Sequence, residues 1–368
     1  MVTTMSNPAM PNSIASNLFT KLLSERSYLL TDGALGTNLF MMGLQTGDSP
    51  ELWNIDHPER IADLAQRFIE AGSDILLTNS FGGTRYRLKL HQAQERVQEL
   101  NVAAAQILKQ LADNSQREVV VAGSMGPTGE IMQPAGSLSY QSAYDAFFEQ
   151  AQALQQGGVD VLWIETMSDL NEAKAAYEAA AATGLPVVYT MSIDTNGRTM
   201  MGVTPAQLIE LNQQLSSPAS ACGTNCGVGA AEVVAAIMNM KMAADLQRTE
   251  PVLVAKANCG LPEYQEGKIV YSGTPELMAE YARMVYGAGA RIIGGCCGTT
   301  PEHIASMRDA LEQCTTLASP EIASLESQLG PISTGAKAQL AGDLSIAGGS
   351  ATGTTRERRS RRGSRKPS

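Results

Sequence analysis

The sequence predicts an α/β protein folded as a (βα)8 TIM barrel, and three observations predict it. Eight short, β-rich apolar runs recur along the 368 residues, at 28–31, 74–78, 119–122, 159–164, 186–191, 220–224, 251–255 and 291–293. The runs are nearly continuously apolar rather than alternating, the pattern of strands buried on both faces of a parallel sheet. Each is followed by a helical segment, most with apolar residues three and four apart, and eight such units close a barrel. A doubly wound open sheet is the other architecture the pattern would fit.

The intervening segments carry helix signals in order. They cover 57–71, 91–112, 140–156, 170–183, 205–215, 230–246, 275–287 and 301–314. In the last of these, Ile304, Met307 and Leu311 share one face. Three helices open on Thr-Pro, at Thr204-Pro205, Thr274-Pro275 and Thr300-Pro301. Threonine can cap the free backbone N–H groups, and proline costs nothing at the first helical position. Gly72, Gly158, Gly184 and Gly289 fall between a helix and the next strand, the usual stop. Residues 1–27 form an N-terminal extension, with a short helix expected over 13–25 on Ile14, Leu18, Phe19 and Leu22. The barrel occupies 28–317, and 318–368 reads as a flexible Gly/Ser-rich tail ending in a basic run.

Composition excludes several classes. The formal net charge is −10, and residues 356–366 hold seven basic residues and one Glu. The remainder is therefore near −16 (−10 minus +6), which argues against nucleic acid as a partner. No apolar run approaches 18 residues, so no membrane span is expected. No basic region followed by an apolar one marks a signal peptide. Six cysteines in a long chain are not a disulfide framework. The expected compartment is the cytoplasm, where thiols stay reduced and free to bind metal.

In a barrel the chemistry sits on the loops after the strands. Here those loops carry Asp32-Gly33 after the first strand, Thr78-Asn79-Ser80 after the second, Glu165-Thr166 after the fourth and Asn225-Cys226 after the sixth. Asn258-Cys259 follows the seventh, and Gly294-Gly295-Cys296-Cys297-Gly298 the eighth. Thiolates are soft ligands that suit zinc, and a catalytic zinc takes three protein ligands and leaves one position open. A vicinal Cys pair alone could be two small buried hydrophobes. With Cys226 at an equivalent strand end, Cys226, Cys296 and Cys297 become candidate ligands of Zn2+. Strand alternation would point Cys296 and Cys297 to opposite faces, so the flanking glycines are expected to supply a bend. Cys222 and Cys314 read as packing, and Cys259 as a bystander or a fourth ligand.

Three thiolates leave a zinc site at net charge −1, which weakens it for activating water. A thiol entering the open position loses its proton on coordination and becomes the nucleophile. This points to alkyl transfer onto sulfur. A His-based hydrolase is disfavoured, because His57, His91 and His303 stand at no expected strand end. Asp32 and Glu165 could receive a cationic group such as an ammonium. Asp194, followed by Thr195-Asn196-Gly197, reads as a turn.

The motifs Asp32-Gly-Ala-Leu-Gly-Thr37, Trp163-Ile-Glu-Thr-Met167, Asn225-Cys226 and Gly294-Gly-Cys-Cys-Gly298 together resemble the homocysteine S-methyltransferase family. That family includes betaine–homocysteine methyltransferase and the homocysteine-binding module of cobalamin-dependent methionine synthase. The similarity covers roughly 28–315. It implies zinc on Cys226, Cys296 and Cys297, homocysteine sulfur as fourth ligand, and an amino group held by Asp32 and Glu165, helped by backbone after Asp32 such as Gly33. It implies methionine as product. As donor it implies betaine or a separate methylcorrinoid protein, with S-methylmethionine as an alternative. A betaine cage would place aromatic residues near Gly82-Gly83 and just after Glu165; this sequence has glycine and Thr166 there, with Trp53 and Tyr86 as candidate substitutes. A non-catalytic zinc or thiol-binding barrel, acting as a partner subunit, is the competing reading.

Overall fold

Eight parallel strands form a closed ring. In this computed structural model, which describes residues 17–260, 262–265, 268–314 and 318–343, the barrel strands are β1 (Leu29–Leu30), β2 (Ile75–Leu77), β3 (Val120–Met125), β4 (Val161–Met167), β5 (Val187–Met191), β6 (Ala221–Cys226), β7 (Leu253–Ala257) and β10 (Ala290–Gly295). A hairpin of β8 (Pro262–Gln265) and β9 (Lys268–Tyr271) sits in the connection after β7. The sheet runs β1-β10-β7-β6-β5-β4-β3-β2. A parallel bridge between Thr31 and Ile75 joins its two ends, and Asp32 N–H donates to Ile75 O at 3.0 Å. That closure excludes the open sheet.

The helices start where the sequence signals them. Thr204 accepts from Gln207 N–H in a capping box, and Thr274 accepts from Leu277 N–H. The helices cover the outer strand faces through a continuous apolar layer that includes Phe68, Phe147, Leu154 and Ile304. Inside the barrel, Leu29, Ile75, Leu77, Trp163, Val188, Val254 and Ile292 form a second core. The N-terminal helix Leu18–Glu25, capped by Asn17, closes the bottom of that core with Phe19 and Leu22, both fully buried. The beginning of the expected 13–25 helix lies outside the described residues.

The bottom is also tied by charge. Asp74, fully buried, accepts from the guanidinium groups of Arg26, Arg117 and Arg308 and from Leu30 N–H. Those partners come from the extension, the turn before β3 and the last barrel helix, so one carboxylate fastens three elements.

The expected flexible tail does not extend to 318–343. Helices Ile322–Leu329 and Thr334–Leu340 pack on the barrel helix Ala230–Gln247. Asn239 Nδ2 donates to Ala336 O at 3.3 Å and Gln339 Nε2 to Gly197 O at 2.9 Å. Leu325, Ile332 and Ala336 are buried. The apolar residues that drive this packing are few and diluted by Gly and Ser, so no periodicity stood out. The basic run lies outside the described residues. Among the described residues, no helix is long and apolar enough to cross a membrane.

Candidate metal centre and substrate cavity

β10 reaches the site through two glycines that stay in the strand, because Gly294 and Gly295 pair with Lys256 and Ala257 of β7. A Cβ on Gly294 would lie 1.8 Å from Thr31 Oγ1, and one on Gly295 2.2 Å from the Thr299 side chain. These glycines therefore serve close packing rather than a bend. The bend comes one step later. Cys296 N–H still donates to Ala257 O at 2.7 Å, and Thr299 N–H then donates to Cys296 O at 3.1 Å. Gly298 sits third in that turn at φ +80°, as glycine readily does. Cys297 thus leaves the strand before alternation can turn it away, and both thiols face the same space.

Cys226 meets them from the end of β6, with φ +65°, an uncommon backbone state for a residue with a side chain. The ligand atoms of Cys226, Cys296 and Cys297 all lie within 4.8 Å of one another, and Cys226 Sγ and Cys297 Sγ are 3.9 Å apart. Zinc–sulfur bonds of about 2.3 Å at a tetrahedral angle put sulfurs about 3.8 Å apart, so the donor set fits zinc in chemistry and in span. Among the described residues this is the one group of its kind.

The thiols are supported from outside. Asn225, fully buried, donates through Nδ2 to Thr166 Oγ1 at 2.7 Å and approaches Cys296 Sγ at 3.8 Å. Its Oδ1 accepts from Thr166 N–H and Thr190 Oγ1. One side chain thereby locks β4, β5 and β6 beside the sulfurs. Asn258 Oδ1 accepts from Cys297 N–H at 3.0 Å. Hydrogen bonds from Cys226 and Cys296, with one from the Tyr271 hydroxyl, pull the Cys297 thiol below its ordinary value. Tyr271 ends the β8–β9 hairpin, and its ring lies where a Cβ on Gly298 would stand. No sequence signal marked it, since the hairpin interrupts a loop without apolar periodicity.

Cys259 is buried apart from the trio and donates through Sγ to Gly273 O at 3.2 Å. It does not complete a fourth corner. Cys222 is fully buried in the outer core, and Asp194 belongs to a turn in which its N–H donates to Arg198 O.

The sulfurs open on a cavity of about 420 Å³ that Gly33, Ser124, Glu165, Lys256, Phe40 and Phe81 help to line. Asp32 is buried behind that lining, 1% exposed, with Oδ1 3.6 Å from Lys256 Nζ and Oδ2 accepting from Leu77 N–H at 2.8 Å. Burial pushes its carboxyl up to about 7, against the pull of the Lys256 ammonium and the Leu77 N–H. Glu165 Oε1 accepts from Ser124 Oγ at 2.5 Å, and burial raises its pKa too, again opposed by Lys256. Burial alone would lower the pKa of Lys256, but the attractions of Asp32 and Glu165 outweigh it and the result is a raised pKa. The structure thus gathers Gly33, Glu165 and the three cysteines around one cavity, with Asp32 buried behind it beside Lys256.

Sequence reasoning missed Lys256. The signal was present: a lone lysine inside an apolar run leading to a strand end. It also missed Glu51, which lines the cavity and accepts from Gly82 N–H at 2.6 Å. Neither Trp53 nor Tyr86 lines the cavity. Trp53 is buried against His57, with Arg60 over its ring at 4.8 Å. The aromatic lining comes instead from Phe40 and Phe81.

The chain is 29% identical over 302 residues to a methionine synthase of Mycobacterium leprae and 29% over 306 residues to one of Mycobacterium tuberculosis. These alignments cover 78% and 79% of this chain but 24% and 25% of those proteins, so it spans about a quarter of their length. The homocysteine methyltransferase MmuM of Escherichia coli, oxidized form, superposes with TM-score 0.67 at 25% identity, covering 80% of this chain and 99% of that one. Its metallated form gives 0.66 at 24%, with the same coverage of each chain. Residues 29–311 match the family described as homocysteine S-methyltransferase, and the chain belongs to that family.

Proposed function

We propose that this protein transfers a methyl group to the thiol of homocysteine, forming methionine, with zinc held by Cys226, Cys296 and Cys297. The observation that carries the reading is the meeting of three cysteine sulfurs within 4.8 Å at a cavity lined by the buried carboxylate of Glu165, with a second, Asp32, buried behind the lining beside Lys256. Bound there, zinc would supply one thing, the ability to keep the substrate sulfur as a thiolate at neutral pH. The chain's own residues do the rest. Asp32 and Glu165 receive the α-ammonium, and the backbone of Gly33 lines the cavity beside them, its missing side chain giving place to Thr299 O. The thiol gives up its proton, the new S–C bond forms, and the bond from methyl to donor breaks.

The metallated form of the Escherichia coli relative supports a metal in this fold, and the mycobacterial relatives support methionine as product. The donor is betaine or a methylcorrinoid protein acting in trans, or a small onium compound such as S-methylmethionine. Phe40 and Phe81 offer the outer cavity an apolar, π-rich surface suited to a cationic methyl donor. A closed, purely structural zinc site is disfavoured by the position of Cys259.

The deciding experiment assays homocysteine methylation with betaine, S-methylmethionine, S-adenosylmethionine and a methylcorrinoid protein in parallel, with zinc measured on the same preparation. Turnover with one donor and about one zinc per chain is expected. Full activity without zinc would remove the metal from the reading. Homocysteine binding with no turnover on any donor would favour the non-catalytic alternative.

A further inference from the structure

Three charged side chains cluster at the inner end of the cavity, Glu165 and Lys256 in its lining and Asp32 buried just behind them, and the reading above uses two of them. Lys256 is 2% exposed, with Nζ 3.6 Å from Asp32 Oδ1, 4.0 Å from Glu165 Oε2 and 5.7 Å from the centre of the Trp163 ring. Each carboxylate ties one oxygen to the scaffold, Asp32 Oδ2 to Leu77 N–H and Glu165 Oε1 to Ser124 Oγ. The other oxygen of each faces the ammonium. At these separations Lys256 attracts both without a short hydrogen bond to either, and Asp32 Oδ1 is buried with no hydrogen-bond partner. A buried acceptor left unpaired costs about 1–3 kcal/mol, so Asp32 Oδ1 has a hydrogen bond still to gain. Two carboxylates and one ammonium also sum to −1, the complement of one further cation.

We propose that Lys256 is a positioning residue that sets substrate choice. It holds Asp32 Oδ1 and Glu165 Oε2 turned toward one another and limits the cluster to a single negative charge, so that the cavity selects thiols carrying one α-ammonium. Lys256 does not itself bind the substrate. Without it, the two carboxylates repel, and one swings away or takes up a proton; either change removes an acceptor. This rests on the homocysteine reading given above.

The test uses the zinc-loaded full chain and three thiols measured by calorimetry: homocysteine, 4-mercaptobutanoate, which lacks the ammonium, and 3-aminopropane-1-thiol, which lacks the carboxylate. The wild type is expected to prefer both amines over 4-mercaptobutanoate. In Lys256→Met that preference should fall by about 30-fold or more, the scale of removing one member of a buried charge cluster. Zinc content should hold, 4-mercaptobutanoate should bind as before, and the kinetic effect should fall on KM more than on kcat. If Lys256→Met does not fold, Lys256→Gln, which removes the charge but keeps a polar side chain of similar length, should fold and show the same lost preference. Weakening of homocysteine and 4-mercaptobutanoate alike, with the aminothiol spared, would assign Lys256 to the substrate carboxylate and overturn the proposal. So would tighter ammonium binding, or joint loss of zinc and all three thiols. A wild type that binds none of the thiols would sink the homocysteine reading itself, and this one with it.

Discussion

Cys226 Sγ and Cys297 Sγ stand 3.9 Å apart although 71 residues separate them in the chain. That pair, with Cys296, is the core of the proposed metal centre. Cys226→Ser and Cys297→Ser are each expected to reduce bound zinc from about one equivalent to well under half, because serine is a hard, poorly ionised ligand in place of a thiolate. Methyl transfer should fall in step, by about 100-fold or more. Metal analysis by mass spectrometry beside the assay checks this. A Cys259→Ser variant that keeps its zinc would separate the bystander from the ligands.

Asp32 makes a pH dependence. Its carboxyl is held up to about 7, against an ordinary 3.8, chiefly by burial. Between those values the folded protein keeps a proton that the unfolded chain has lost, so stability falls as pH rises through the window. Wild type should therefore lose on the order of 2–3 kcal/mol relative to Asp32→Asn between pH 5 and pH 8, read from urea unfolding. Homocysteine affinity should move the opposite way in wild type, strengthening as Asp32 ionises near pH 7 and becomes able to accept an ammonium. A flat affinity profile would remove Asp32 from substrate binding.

Gly294 tests the packing of β10. A Cβ there would stand 1.8 Å from Thr31 Oγ1, whereas one on Gly36, within the helix Leu35–Met41, would meet nothing within 4 Å. Gly294→Ala should destabilise by about 2–4 kcal/mol. Gly36→Ala should be neutral or stabilise by up to about 1 kcal/mol, as helical glycines do on replacement. Equal effects in denaturant titrations would contradict the close approach.

The donor should feel Phe81, which is 37% exposed at the cavity. Phe81→Ala is expected to raise the donor KM about tenfold for a cationic donor, the loss of one cation–π face. Homocysteine KM should change less than about twofold, since the residues proposed to hold its sulfur and ammonium do not include Phe81. An equal rise in both would place Phe81 against homocysteine instead.

Much of this protein was legible from residue order alone. Eight apolar runs and their Thr-Pro helix starts declared the barrel, because strand burial and helix capping are local chemistry. The cysteines at the ends of β6 and β10 declared a thiol site, because a barrel collects its strand ends at one mouth. Sequence also assigned Cys222 to the core and Asp194 to a turn, where the structure has them. Strand lengths were less legible. β1 pairs over two residues, while β10 runs on through Gly294 and Gly295, since pairing depends on the neighbouring strand.

What the tertiary structure alone decided is long-range. It closed the ring through Thr31 and Ile75, seated Phe19 and Leu22 under the barrel, and folded 318–343 onto the helix Ala230–Gln247. It set Cys259 apart from the sulfur trio and brought Tyr271 to Cys297. Above all it placed the Lys256 ammonium within reach of both Asp32 and Glu165, three residues far apart in the chain and together in one buried cluster. A residue's type says which charge it carries, but which charges share a low-dielectric space depends on distances that only the closed barrel defines.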